Sequence, residues 1–159
     1  MPKTSAGILL FRRRPHGLEV LLVHPGGPFW ARKDEGAWSI PKGEAHPSED
    51  LLDAARREFR EETGAAADGA VLDLGAFRQP GGKIVAAFAL EGDFDPAALT
   101  SEPFTMEWPP RSGKTAAFPE VDRAAWFDLE TAAGKILKGQ SPILAALAER
   151  LCAGPLPGA

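Results

Sequence analysis

The chain has 159 residues, 44% of them hydrophobic and 25% charged, with a formal net charge of −4. That length suits a single domain with a core of its own. The acidic balance excludes a general basic field for nucleic acid, and no apolar run approaches the length of a membrane span.

The N-terminus MPKTSAGILLFRRR has its charges in the wrong order for a signal peptide. The single Cys152 excludes an internal disulfide, and a cytoplasmic location is the default expectation. Residues 5–12 read as a strand with a continuous apolar centre, and 18–24 as a second, joined by a turn at 15–17. The loop over 25–37 is long and carries Phe29, Trp30, Arg32 and Lys33. Such loops are often binding loops, but its aromatics could equally lie on the core, and both readings stay open. WSIPKG follows at 38–43, where Pro41 pushes Ile40 to an extended conformation.

A helix is expected over 48–63, with Pro47 limiting its start, Ser48 as N-cap and Gly64 as the left-handed residue that closes it. At helical spacing Glu58, Glu61 and Glu62 share one face. Leu51, Leu52, Ala55 and Phe59 form an adjoining apolar stripe, and Arg57 lies within one turn of both Asp53 and Glu61. Three like charges on one face repel, and a divalent cation would relieve them; hard oxygen ligands suit Mg²⁺ or Mn²⁺. Lys42 precedes this helix as a candidate phosphate contact.

Strands are expected over 71–77 and 83–90, with a turn at 79–82 flanked by Arg78 and Lys83, both candidate phosphate contacts. In SEPFTMEWPPRSGK, over 101–114, Phe104, Met106 and Trp108 alternate with polar residues, which reads as a strand ended by Pro109 and Pro110. Trp108 is a candidate to stack on a base, and Arg111 and Lys114 to meet phosphates. Helices are expected over 130–137 and 142–151, the second capped by Ser141 and burying Ile143, Leu147 and Leu151. The domain should span 1–152, with 153–159 a disordered tail.

The spacing Gly43-x5-Glu49-x7-Arg57-Glu58-x2-Glu61-Glu62-x-Gly64 resembles the signature of the Nudix hydrolase superfamily at all seven fixed positions. A chance match has a probability on the order of 10⁻⁶ with ordinary residue usage. Phe59 and Ala65 depart from the bulky aliphatics of that signature, which touches packing and not the carboxylates. WSIPKG is similar to the lead-in of the branch that cleaves diadenosine polyphosphates. The resemblance implies an α/β fold, a mixed sheet between helices. It also implies metal-dependent hydrolysis of a phosphate anhydride in a nucleoside diphosphate-linked substrate, a dinucleoside polyphosphate being the best match. The alternatives are a nucleoside triphosphate pyrophosphohydrolase and a non-catalytic nucleotide-sensing module, although the latter usually lacks glutamates of this signature. By the same resemblance Glu58, Glu61 and Glu62 are the metal ligands, with the Gly43 carbonyl a weaker candidate. Glu120, six residues before Trp126, is the candidate base or added ligand, with Glu58 or Glu62 as other possible bases and Glu107 as its rival on position. Arg57 is expected to orient a carboxylate and Glu49 to hold the loop against the helix. The expected partner is a small nucleotide, with the protein a monomer or homodimer.

Overall fold

In the computed structural model, which describes residues 3–153, strand β1 (Thr4–Arg14) is the centre of a six-stranded mixed sheet. The reason is visible in the run Ile8–Phe11, whose four side chains alternate between two buried faces. Only a strand covered on both sides reads as continuously apolar. Strand β2 (Gly17–Pro25) pairs antiparallel with the far half of β1, and the short β3 (Lys42–Glu44) pairs antiparallel with its near end at Ser5, Ala6 and Gly7. The sheet continues through β5 (Ile84–Glu91), parallel to β1, to β4 (Val71–Arg78) at one edge. Strand β8 (Val121–Asp128) closes the other edge against β2. Strands β6 (Pro103–Glu107) and β7 (Thr115–Pro119) form a separate two-stranded ribbon.

Helix α1 (Leu51–Thr63) covers one face with Ala54, Ala55 and Phe59, packed on Ile8, Leu10, Leu21 and Phe88. Helices α2 (Leu129–Lys135) and α3 (Ser141–Ala153) cover the other face with Ala132, Ile143, Leu144 and Leu147, packed on Leu9, Phe11, Val20 and Leu22. Burying an aliphatic or aromatic side chain of this kind stabilises the fold by about 1.5–3 kcal/mol.

Several expectations change. Helix α1 starts at Leu51, and its N-cap is Asp50, whose carboxylate accepts from the Asp53 backbone N–H at 3.1 Å. Ser48 stands outside the helix with φ +66°. Leu51 is 38% exposed, and Ala54 supplies the contact expected of it. Ser141 is already helical, because a 3₁₀ turn at Lys138–Gln140 runs directly into α3 and leaves no separate cap position. Strand β8 has no clean alternation in its sequence; its pairing with β2 defines it. The tail expectation for 154–159 lies outside the described residues.

Candidate functional site

The site is built where α1 passes β3. Gly64 ends α1 with φ +85°, its N–H donating to the Arg60 carbonyl. On the face of α1 toward β3, the Lys42 N–H donates to Glu62 Oε1 at 3.3 Å. Gly43 runs against Glu58: a methyl group on Gly43 would lie 1.9 Å from Glu58 Oε1. Only glycine lets the strand come that near the carboxylate.

Arg57 organises the cluster. Its guanidinium donates to both oxygens of Glu49, at 3.0 and 2.9 Å, a bidentate pair. Nη1 also donates to Glu58 Oε2 at 2.6 Å and to Glu61 Oε2 at 3.2 Å, and Nη2 to the Glu44 carbonyl at 3.1 Å. Of the two partners expected for it, Arg57 meets Glu61 and not Asp53, because the fork is drawn toward Glu49. Glu49 Oε1 accepts from the His46 N–H at 2.9 Å, so the loop before α1 is fastened to the middle of the helix.

These contacts set the charges. Hydrogen bonds from Arg57 hold the Glu49 carboxyl at about 2, and the same bonds raise the Arg57 guanidinium above its ordinary value. Burial pushes Glu58 upward, reinforced by the charges of Glu61 and Glu120 against the opposing pull of Arg57. Burial lifts Glu62 to about 8, reinforced by Glu58 and Glu120 and opposed by Lys42.

Glu120 reaches this place through the backbone. The Glu102 N–H donates to the Glu61 carbonyl at 3.0 Å, the Glu120 N–H to the Glu102 carbonyl at 3.0 Å, and the Gly26 N–H to the Glu120 carbonyl at 2.9 Å. This relay joins α1, the loop before β6, the turn before β8 and the loop after β2. Gly26 lies so close to Pro119 that a methyl group there would meet its carbonyl oxygen at 1.9 Å.

The result is a polar cleft of ≈ 440 Å³ lined by Lys42, Gly43, Glu58, Glu61, Glu62, Lys83 and Glu120. Glu44 and Glu102 also line it. Neither carries a motif or periodic signal in the sequence; strand pairing places one and the backbone relay the other. Two cavities adjoin the cleft and share Glu120 with it. One, of ≈ 210 Å³, is walled by Val23, Trp30, Ala37, Ser39 and Leu137 and also borders Lys42 and Glu62. The other, of ≈ 330 Å³, lies between Phe29 and Trp30 on one side and Phe104 and Met106 on the other. The loop over 25–37 therefore walls both cavities, and its Trp30 borders each.

Four expected substrate contacts are not brought to the cleft. Arg78 ends β4, Arg111 sits in the turn of the ribbon with φ +59°, Lys114 follows that turn with its carbonyl accepting from the Trp108 N–H at 2.9 Å, and Trp108 packs edge-on against Phe29 with ring centres 5.6 Å apart. None of them lines the cleft or the two cavities beside it. Glu107 is also elsewhere, accepting from the Gly113 N–H at 2.8 Å to close the ribbon turn.

Among the described residues, no three carboxylates stand close enough to grip a metal ion as they are. Glu58 and Glu61 are turned onto Arg57. The donor chemistry nonetheless fits a hard divalent cation: every side-chain donor is a carboxylate oxygen, and burial, reinforced by the neighbouring carboxylates, raises Glu58 and Glu62.

The NUDIX domain family model matches residues 1–147. The chain belongs to the Nudix family. As a Nudix protein it is a pyrophosphohydrolase, of a family that acts on nucleotide derivatives and uses divalent metal ions. Its fold is that of solved Nudix structures. A Caenorhabditis elegans Ap4A hydrolase, in a binary complex, matches with TM-score 0.65 and 20% identity, over 94% of this chain and 98% of that one. The NUDIX domain of Shewanella oneidensis NrtR, complexed with ADP ribose, matches with TM-score 0.66 and 18% identity, over 95% and 89%. A mutT/nudix family protein from Listeria innocua matches with TM-score 0.62 and 20% identity, over 96% of both chains. Comparison with curated proteins returned no match.

Proposed function

We propose that this Nudix enzyme hydrolyses a phosphate anhydride bond in a nucleoside diphosphate-linked substrate, with a dinucleoside polyphosphate as the substrate class. The observation that carries the reading is the meeting of Glu58, Glu61, Glu62 and Glu120 with Lys42 and Lys83 around one cleft that opens into aromatic-walled cavities. The WSIPKG lead-in and the fold likeness to an Ap4A hydrolase support the substrate class.

Glu58, Glu61 and Glu62, with the Gly43 carbonyl and Glu120 as further donors, would hold Mg²⁺ or Mn²⁺. Such an ion supplies charge shielding of the polyphosphate and polarisation of the phosphorus under attack. Arg57 keeps Glu58 and Glu61 oriented, and Glu49 keeps Arg57 in place. Lys42 and Lys83 meet phosphate oxygens. The nucleoside lies in a cavity beside the cleft, against Trp30. Glu120 takes the proton of the attacking water: it lines the cleft from the turn before β8, whereas Glu58 and Glu61 are paired with Arg57. The functional unit is the single domain over 1–152, acting in the cytoplasm as a monomer or homodimer.

A screen of nucleotide anhydrides with Mg²⁺ and product identification tests this reading. Cleavage of diadenosine tetraphosphate in preference to nucleoside triphosphates supports it. Preference for triphosphates with release of pyrophosphate replaces the substrate class, and tight nucleotide binding without turnover identifies a sensing module.

A further inference from the structure

His24 is fully buried near the end of β2, between Val23 and Pro25, which line the cavity beside Trp30. Its two ring nitrogens are both engaged. Nε2 lies 2.6 Å from the Lys33 carbonyl oxygen, and Nδ1 lies 2.8 Å from Asp122 Oδ1. A carbonyl oxygen can only accept, so Nε2 carries a hydrogen and donates it. The ring is braced edge-on by Trp38, with centres 5.2 Å apart. Arg123 faces the same corner, its guanidinium 3.6 Å from Asp122 and over the Trp38 ring.

The partners of His24 belong to the two segments that frame the cleft. Lys33 closes the turn that carries Trp30: its N–H donates to the Trp30 carbonyl at 3.0 Å, and its own carbonyl is the one His24 holds. Asp122 stands two residues beyond Glu120, at the start of β8. No role in the chemistry accounts for a buried imidazole here, and a core of this kind would be filled as well by leucine or phenylalanine. A buried polar ring is retained where both of its hydrogen bonds fix something.

We infer that His24 is a positioning residue. Through Nε2 it holds the Trp30 turn, and through Nδ1 it holds the segment of Glu120, so that the wall of the nucleoside cavity and the carboxylate across the cleft keep one relative placement. The importance of that placement for turnover rests on the function proposed above. The tie itself does not, and it can be measured without activity.

Two conservative variants separate the two bonds. The amide nitrogen of His24→Gln reaches the position of Nε2 and can donate to Lys33. The amide nitrogen of His24→Asn takes the position of Nδ1 and can reach only Asp122. The first readout is hydrogen exchange of the peptide over 25–37 in the intact protein, with β1 and α1 peptides as internal reference. His24→Asn should exchange that loop about tenfold faster, an opening free energy lower by about 1.4 kcal/mol, with the reference peptides unchanged. His24→Gln should stay within about twofold of the wild type. The second readout is steady-state kinetics with diadenosine tetraphosphate and Mg²⁺: His24→Asn should raise KM at least ~5-fold while kcat stays within ~3-fold, and His24→Gln, which gives up the Asp122 bond, should keep the wild-type KM while kcat falls at least ~5-fold; wild-type kcat in His24→Gln would overturn the Asp122 half of the tie. Equal exchange of the loop in both variants, or equal acceleration of loop and reference peptides, would overturn the inference and leave His24 as core packing. A wild type inactive on the dinucleotide would fail the functional reading alone, because the exchange comparison would still decide the tie.

Discussion

Glu62→Gln should stabilise the metal-free protein, and the gain should grow with pH. The Glu62 carboxyl is lifted by burial from an ordinary 4.5 to about 8. Below pH 4.5 it is protonated in both the folded and the unfolded chain, and its titration contributes nothing to stability. As pH rises toward 8, the unfolded chain ionises this group while the folded chain keeps its proton, so stability falls across that window. At about 1.4 kcal/mol per pH unit, the penalty is about 1 kcal/mol at pH 5 and at most about 3 kcal/mol at pH 7. Glutamine keeps the side-chain shape and can still accept the Lys42 N–H through its carbonyl oxygen. For a chain of this size, removal of the penalty corresponds to a Tm raised by about 3 °C at pH 5 and about 10 °C at pH 7. Thermal unfolding of chelator-treated wild type and variant across pH 5–8 measures it. A Tm difference that stays flat over that range, or a variant less stable throughout, refutes the assignment of Glu62 as a proton-holding carboxyl inside the cleft.

Glu49 gives the opposite sign. Arg57 holds its carboxyl at about 2, so the pair stabilises the fold above pH 4.5 and loses that contribution as pH falls toward 2. The Tm gap between wild type and Glu49→Gln should therefore narrow on acidification from pH 5 to pH 3. Gly43→Ala would place a methyl 1.9 Å from Glu58 Oε1, forcing that carboxylate to move. It should lower kcat at least ~10-fold, and a fully active variant would show that Glu58 need not stay where it is. Glu120→Gln should lower kcat with little change in KM. Glu107→Gln should leave turnover near wild type, since Glu107 closes the ribbon turn; the reverse pattern would move the role to Glu107.

The parts of this molecule legible in the sequence are those in which neighbours along the chain are neighbours in space. The fixed spacing from Gly43 to Gly64 lies on one strand, one loop and one helix, so its carboxylates could be placed on one face before any fold was known. The apolar run over 8–11 likewise marks a strand, and the structure buries it on both sides. The missing parts depend on contacts between distant segments. Strand β8 is defined by pairing with β2, about a hundred residues earlier, and the presence of Glu102 in the cleft by two backbone hydrogen bonds that no side chain encodes. Asp50 displaced Ser48 as the cap because the backbone at Ser48 turns left-handed before the helix begins, a preference that residue type does not reveal. Charge and aromaticity alone point to Arg111 and Trp108, but the ribbon carries them away from the cleft toward its own turn and Phe29.

The central claim is that the clustered glutamates act with a divalent ion on a nucleotide anhydride. It is tested most directly by turnover of diadenosine tetraphosphate in thoroughly demetallated protein, before and after addition of Mg²⁺, for the wild type and Glu61→Gln. The account predicts no turnover without metal, recovery with Mg²⁺ in the wild type, and a loss of at least ~10²-fold in Glu61→Gln at saturating Mg²⁺. Full activity in the demetallated wild type, or wild-type turnover by Glu61→Gln, would contradict it.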